Sequence, residues 1–251
     1  MLELKNISLT FNLGTKLAHQ VYKDFNFSVN PGEFVIIIGS NGTGKSTLFN
    51  VISGDIIPDK GRIYIDGKDC TRLENYKRSK LISCVTQDPK SSVIPSMTIK
   101  ENLVFALKRG MWRTLLPYSN KSTDHFLRQV LSEFQINLGL KLNEFAGNLS
   151  GGGRQVLSLL MATLAPSKLL LLDEHLAALD PKMSPIVMSL TEKIIKLRGL
   201  TTLMITHNMT DALKYGDRTI LLHKGKILKD LSYREKKNYT PADLACLFNE
   251  V

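Results

Sequence analysis

The stretch GSNGTGKST, Gly39 to Thr47, sets three glycines around a loop that ends in a lysine and a Ser-Thr pair. It fits G-x-x-x-x-G-K-[ST], the pattern of a loop that wraps phosphates. The glycines let the backbone amides of Gly39, Ser40, Asn41, Gly42, Thr43 and Gly44 turn inward around an anion, and the following helix adds the positive end of its dipole. Lys45 would reach the β- and γ-phosphates of a nucleoside triphosphate. Ser46 would ligate Mg2+, and Thr47 would donate to a phosphate oxygen. Two carboxylates close a later apolar run, LLLLDE, Leu169 to Glu174. Asp173 can hold Mg2+ through water. Glu174, one residue beyond the strand, can act as general base for an attacking water, a role worth ~10² to 10⁴ in rate. These parts describe a P-loop ATPase. Another glycine cluster, LSGGGRQ, Leu149 to Gln155, raises the question of why one chain would need two.

The elements that must position these residues are legible in outline. Leu2 to Phe11 and Phe25 to Val29 read as strands, with Pro31-Gly32 as a turn. Phe34 to Ile38 is a continuous apolar run, as expected of a central parallel strand buried on both faces. Leu169 to Leu172, Thr202 to Ile205 and Thr219 to Leu222 repeat that pattern among helical segments. A mostly parallel sheet with helices on both faces follows, with an antiparallel region at its N-terminal end. Between about Asp88 and Leu149 the texture becomes helical. Thr98 and Glu101 have capping-box spacing, with Ile99, Leu103 and Ala106 on one side of the predicted helix. Leu127, Val130, Leu131 and Phe134 form a second core-facing stripe. The expected organisation is one domain, with a nucleotide-binding core over 1–87 and 150–251 and a helical subdomain over 88–149. In YTPADLACLF, Thr240 and Pro241 predict the start of a short helix that docks through Leu244, Leu247 and Phe248.

Composition narrows the setting. No apolar run approaches the ~20 residues a spanning helix needs, and the start MLELKNISLTF lacks the pattern of a signal peptide, so a cytoplasmic location is expected. Cys70, Cys84 and Cys246 have no metal-ligand spacing, and neither disulfides nor zinc are expected. The net charge of +10 suits phosphates, nucleic acid or an anionic membrane face. Its densest cluster, Lys224, Lys226, Lys229, Arg234, Lys236 and Lys237, reads as a solvated face without the aromatic interleaving of single-strand binders, and no nucleic-acid partner is expected.

LSGGG followed by Arg154-Gln155 and the apolar helix Val156 to Leu164 closely resembles the signature motif of ATP-binding cassette (ABC) proteins. Other landmarks appear in the family's order. Phe11 lies where the family places an aromatic that stacks on adenine, with Tyr22 the alternative. Gln87 in VTQDP matches the glutamine that opens the helical insert, ligates Mg2+ and links transporter contact to the γ-phosphate. AALD, Ala177 to Asp180, matches the loop after the second carboxylate, with Asp180 at a subunit contact or capping a helix that begins at Pro181. His207 in MITHNM matches the switch histidine that donates to the γ-phosphate.

The resemblance implies that ATP lies between the phosphate loop of one copy and Ser150, Gly151 and Gly152 of a second copy, arranged head to tail. It implies integral-membrane permease subunits as partners and, indirectly, a solute-binding protein. QDP, PSMTIKENL, SLLMATL and DEHLAALDPK resemble ATPase subunits of bacterial importers thought to carry aromatic amino acids or related small solutes. The alternatives are a soluble cassette protein acting on ribosomes or nucleic acid, and an exporter ATPase. Two positions depart from the family: Gly153, where glutamine is usual, and His175, where a proline commonly follows the catalytic glutamate.

Overall fold

The computed structural model describes residues 1–88, 91–111, 121–134 and 141–249. The chain opens with strands β1 (Leu2–Phe11), β2 (His19–Val29) and β3 (Phe34–Ile38), then helix α1 (Lys45–Ser53). Strands β4 (Lys60–Ile65) and β5 (Lys68–Asp69), the short helix α2 (Asn75–Arg78) and strand β6 (Ile82–Val85) follow. Helices α3 (Ile99–Leu107), α4 (Lys121–Glu133) and α5 (Gly151–Leu164) precede β7 (Leu169–Asp173). The last part alternates α6 (Met183–Arg198), β8 (Thr201–Ile205), α7 (Met209–Lys214), β9 (Arg218–His223), β10 (Lys226–Ser232) and α8 (Pro241–Asn249).

Two sheets result. One is antiparallel, in the order β2-β1-β4-β5; the other runs β10-β9-β3-β8-β7-β6, parallel except for the edge strand β10. All five residues of β3 are buried, and they divide by alternation. Phe34, Ile36 and Ile38 face a core shared with α3 to α7, whereas Val35 and Ile37 face a second core shared with β1, β2 and α1. This two-sided burial is the physical reason the strand reads as an unbroken apolar run. It also fixes the phosphate loop, which leaves the sheet from the end of its best-held strand.

The helical region joins the first core. Ile99 and Leu103 of α3, and Leu127, Val130 and Leu131 of α4, are buried there with Phe134. Thr98 and Glu101 close both halves of a capping box, as their spacing predicts. Thr240 and Asp243 satisfy each other's backbone amides at the start of α8, whose Leu244 is fully buried. Among the described residues, no helix is long and apolar enough to cross a membrane.

Two expectations need correction. Strand β2 begins at His19, six residues before Phe25, because its first turn pairs across the hairpin with Phe11 and Thr10. The basic cluster is not uniformly solvated: Lys236 is buried at 1 % exposure while Lys224, Lys226, Lys229, Arg234 and Lys237 are exposed. Its Nζ donates to Tyr215 O, to Gly216 O at 2.8 Å and to Ala212 O at 3.3 Å, so it satisfies carbonyls at the end of α7. Burial pushes its ammonium down to about 8.

Candidate functional site

The phosphate loop connects Ile38 of β3 to Lys45 of α1, and two of its glycines are sterically required. A Cβ at Gly39 would stand 2.4 Å from Leu222 O and 2.7 Å from Thr43 Oγ1. Gly44 holds φ +104°, and a Cβ there would lie 2.8 Å from the Tyr22 hydroxyl. That hydroxyl donates to Gly44 O at 2.7 Å from a fully buried ring. Tyr22 therefore braces the loop from beneath and is not placed to stack on a base. Its burial pushes the phenol well above its usual range.

Lys45 is buried, and its Nζ donates to Gly39 O at 2.7 Å and Ser40 O at 2.9 Å. The ammonium is thus fixed over the loop, with one donor left for a further acceptor. Burial lowers its proton affinity, against the pull of Glu174 and then Asp173. Ser46 is exposed at the start of α1, and Thr47 is half-buried beside it.

Asp173 ends β7, in register with Ile205 of β8. Burial and then the charge of Glu174 raise its carboxyl, while Lys45 and His207 draw it down. Glu174 adopts φ +46°, a left-handed conformation uncommon for a residue with a side chain, and its N–H donates to Ile205 O at 3.1 Å. Its Oε1 lies 2.5 Å from Nε2 of His207, which stands just beyond β8. Adjacent parallel strands thus deliver an acid and a histidine to the same carboxyl edge of the sheet.

A cleft of about 290 Å³ joins the loop to Glu174 and His207: Phe11, His19, Val21, Asn41, Gly42, Gly44, Lys45, Ser46, Thr47, Glu174 and His207 line it, and Asp173 does not. Phe11, 37 % exposed at the end of β1, stands at its rim. His19 and Val21 are lining residues that the sequence reading missed. His19 faces Phe11 across the hairpin, a pairing that only the register reveals. Among the described residues, no three His, Cys, Asp or Glu side chains could together cage a metal. The donors present, the Ser46 hydroxyl and the Asp173 carboxylate, are hard oxygens that fit a Mg2+ ion completed by phosphates and water.

The remaining predicted residues lie outside the cleft. Gln87 is exposed, two residues beyond β6. Ser150 caps α5 by accepting from the Gly153 amide at 3.2 Å. Gly151 is open to solvent, with nothing within 4 Å of a Cβ built there, whereas a Cβ at Gly152 would lie 2.7 Å from Met183 Cε. The start of α5 therefore rests on the start of α6. Asp180 Oδ1 accepts from the amides of Lys182 and Met183, both at 3.0 Å, capping the approach to α6. Nothing in the local packing requires glycine at position 153, where a Cβ would meet Leu149 Cβ at 3.3 Å and Ser150 Oγ at 3.4 Å without an unusual φ. The chain thus carries two glycine-rich helix starts on different elements, of which one lines the cleft.

The family profile described as ABC transporter matches residues 22–177. The tyrosine transport ATP-binding protein of Clostridioides difficile (strain R20291) is 44% identical over 247 residues, 97% of each chain. The thiamine import ATP-binding protein ThiQ of Haemophilus influenzae (strain ATCC 51907 / DSM 11121 / KW20 / Rd) is 34% identical over 81% of this chain and 89% of its own. Among solved structures, a dimeric post-hydrolysis state of an ATP-binding cassette bound to ADP and Pi superposes with a TM-score of 0.75 at 28% identity, covering 93% of this chain and 99% of that one. The ADP conformation of another cassette gives a TM-score of 0.81 at 26% identity over 100% of this chain and 99% of that one.

Proposed function

This chain belongs to the ABC transporter ATP-binding family, an ATP-hydrolysing transporter subunit, and we propose that it powers a bacterial importer of tyrosine or a related small amino acid. The observation that carries the solute class is the likeness, end to end, to a tyrosine transport ATP-binding protein. Importer relatives favour uptake over export or a ribosomal role.

In this reading ATP enters with its adenine against Phe11 and its phosphates in the amides from Gly39 to Gly44. Lys45 already sits over the loop, so little side-chain ordering remains when it meets the β- and γ-phosphates. Ser46 and Asp173 would hold Mg2+, with Gln87 moving in from the end of β6; the ion would neutralise developing phosphate charge. Glu174 accepts a proton from the attacking water, and His207, whose Nε2 meets that carboxylate before the nucleotide enters, turns the same N–H to the γ-phosphate once ATP is bound. Ser150, Gly151 and Gly152 serve the nucleotide of a second copy, and Asp180 lies at that seam. Residues 88–149 receive the permease subunits at the inner membrane face, and a solute-binding protein signals through them.

The test is reconstitution in proteoliposomes with the integral-membrane permease that co-purifies with the chain. Phosphate release should rise when tyrosine-loaded binding protein is added outside. Stimulation by RNA, with none by a loaded binding protein, would overturn the reading.

A further inference from the structure

Glu174 must hold an unfavourable backbone conformation, of a kind that persists only where its surroundings impose it. On one side its N–H is tied to Ile205 O. On the other stands His175, 1 % exposed, with Nε2 3.2 Å from Thr191 Oγ1 on α6. Thr191 Oγ1 spends its only proton on Val187 O at 2.8 Å, so it can meet the imidazole only as an acceptor. His175 Nε2 therefore carries the ring's hydrogen. Nδ1 is left bare, buried and unpartnered, which requires a neutral ring. A proline here would stiffen the turn through its own ring; this chain replaces that constraint with a side-chain bond to a helix.

We propose that His175 is a positioning residue for Glu174, its Nε2–H to Thr191 Oγ1 bond clamping the turn to α6 so that the carboxylate meets His207. The same helix begins at Met183 against Gly152, so the clamp also ties the acid's turn to the element that supports the signature loop. This inference rests on Glu174 being the general base.

The experiment measures steady-state phosphate release against ATP concentration for the intact chain carrying His175→Ala, His175→Gln, His175→Asn, Thr191→Val and the His175→Ala/Thr191→Val pair, with Glu174→Gln alongside. Misplacement of a catalytic group should lower kcat by about tenfold to a hundredfold in His175→Ala, with KM within about threefold of wild type. Glutamine carries an amide N–H to the position of Nε2 and should restore most of kcat; asparagine reaches only the place of Nδ1 and should not. Thr191→Val should match His175→Ala, and the pair should be no worse than either. A purely structural role would lower the melting temperature without this split or this rescue. The proposal is overturned if His175→Ala or Thr191→Val keeps kcat within about twofold while Glu174→Gln is inactive, or if glutamine is as impaired as alanine. If alanine prevents folding, the Gln, Asn and Thr191→Val arms decide it. Wild-type turnover in Glu174→Gln would instead remove the general-base reading, and this inference with it.

Discussion

Glutamine at position 174 keeps the shape of the side chain and tolerates φ +46° no worse than glutamate, yet it removes the charge that faces His207 at 2.5 Å. A charge-assisted hydrogen bond is about twice as strong as a neutral one, so the folded state should lose roughly 1 kcal/mol, a fall of about 2 to 4 °C in melting temperature for a domain of this size. The reaction should lose much more. A general base contributes ~10² to 10⁴, which corresponds to about 3 to 5 kcal/mol of barrier. Binding should move the other way. Glu174 is the first of the two acids acting on Lys45, and neutralising it removes a negative charge from the phosphate end of the cleft, so ATP should bind as tightly or more tightly. Single-turnover phosphate release at saturating Mg-ATP, nucleotide titration and a melting curve separate the three effects. Turnover within about threefold of wild type, or loss of ATP binding in step with turnover, would refute the assignment.

Tyr22→Phe removes the brace under Gly44, whose carbonyl still accepts from the Leu48 amide. The expected loss is about 1 kcal/mol, read as a lower melting temperature and a few-fold weaker nucleotide binding; unchanged values in both would contradict the brace. Lys236→Met strands the carbonyls of Tyr215 and Gly216, while Ala212 O keeps the Thr219 hydroxyl, and should cost about 2 to 3 kcal/mol in urea denaturation, unlike Lys237→Met at an exposed position. Equal midpoints for the two variants would restore the solvated-face reading. Gly153→Gln meets only close side-chain atoms at helical geometry, so it should fold and gain up to about 1 kcal/mol of helix stability. It should also strengthen ATP-dependent pairing, seen by light scattering; a variant that neither pairs nor turns over better would show that glycine is no handicap.

The phosphate loop and the strand feeding it were legible because one strand is buried on both faces and its pattern shows no alternation. Capping residues were equally plain at Thr98 and Thr240, where short local spacings carry the signal. Strands β4, β5, β6 and β10 carry no such signal. KGRIYI and KILKDLS mix lysine with apolar residues on antiparallel strands of which one face is wet, and ISCV is too short for its pattern to count. The brace from Tyr22 and the seat of Lys236 depend on backbone carbonyls distant in sequence, which residue types do not advertise. His175 stands out in the sequence as a departure, but its hydroxyl partner sixteen residues later shows only where α6 lies beside the turn that follows β7.

The central claim is that the signature loop completes a site on another copy. Gly151 offers the cleanest handle, because a side chain there meets nothing of its own chain. Gly151→Asp should fold normally and yet repel a partner's phosphate, while Lys45→Ala should disable the phosphate loop it belongs to. Each variant alone should be inactive in ATP hydrolysis. An equal mixture should recover roughly a quarter of wild-type activity, since half of the random pairs are mixed and each mixed pair keeps one of two sites intact. No recovery in the mixture, or wild-type turnover from Gly151→Asp alone, would contradict the shared site.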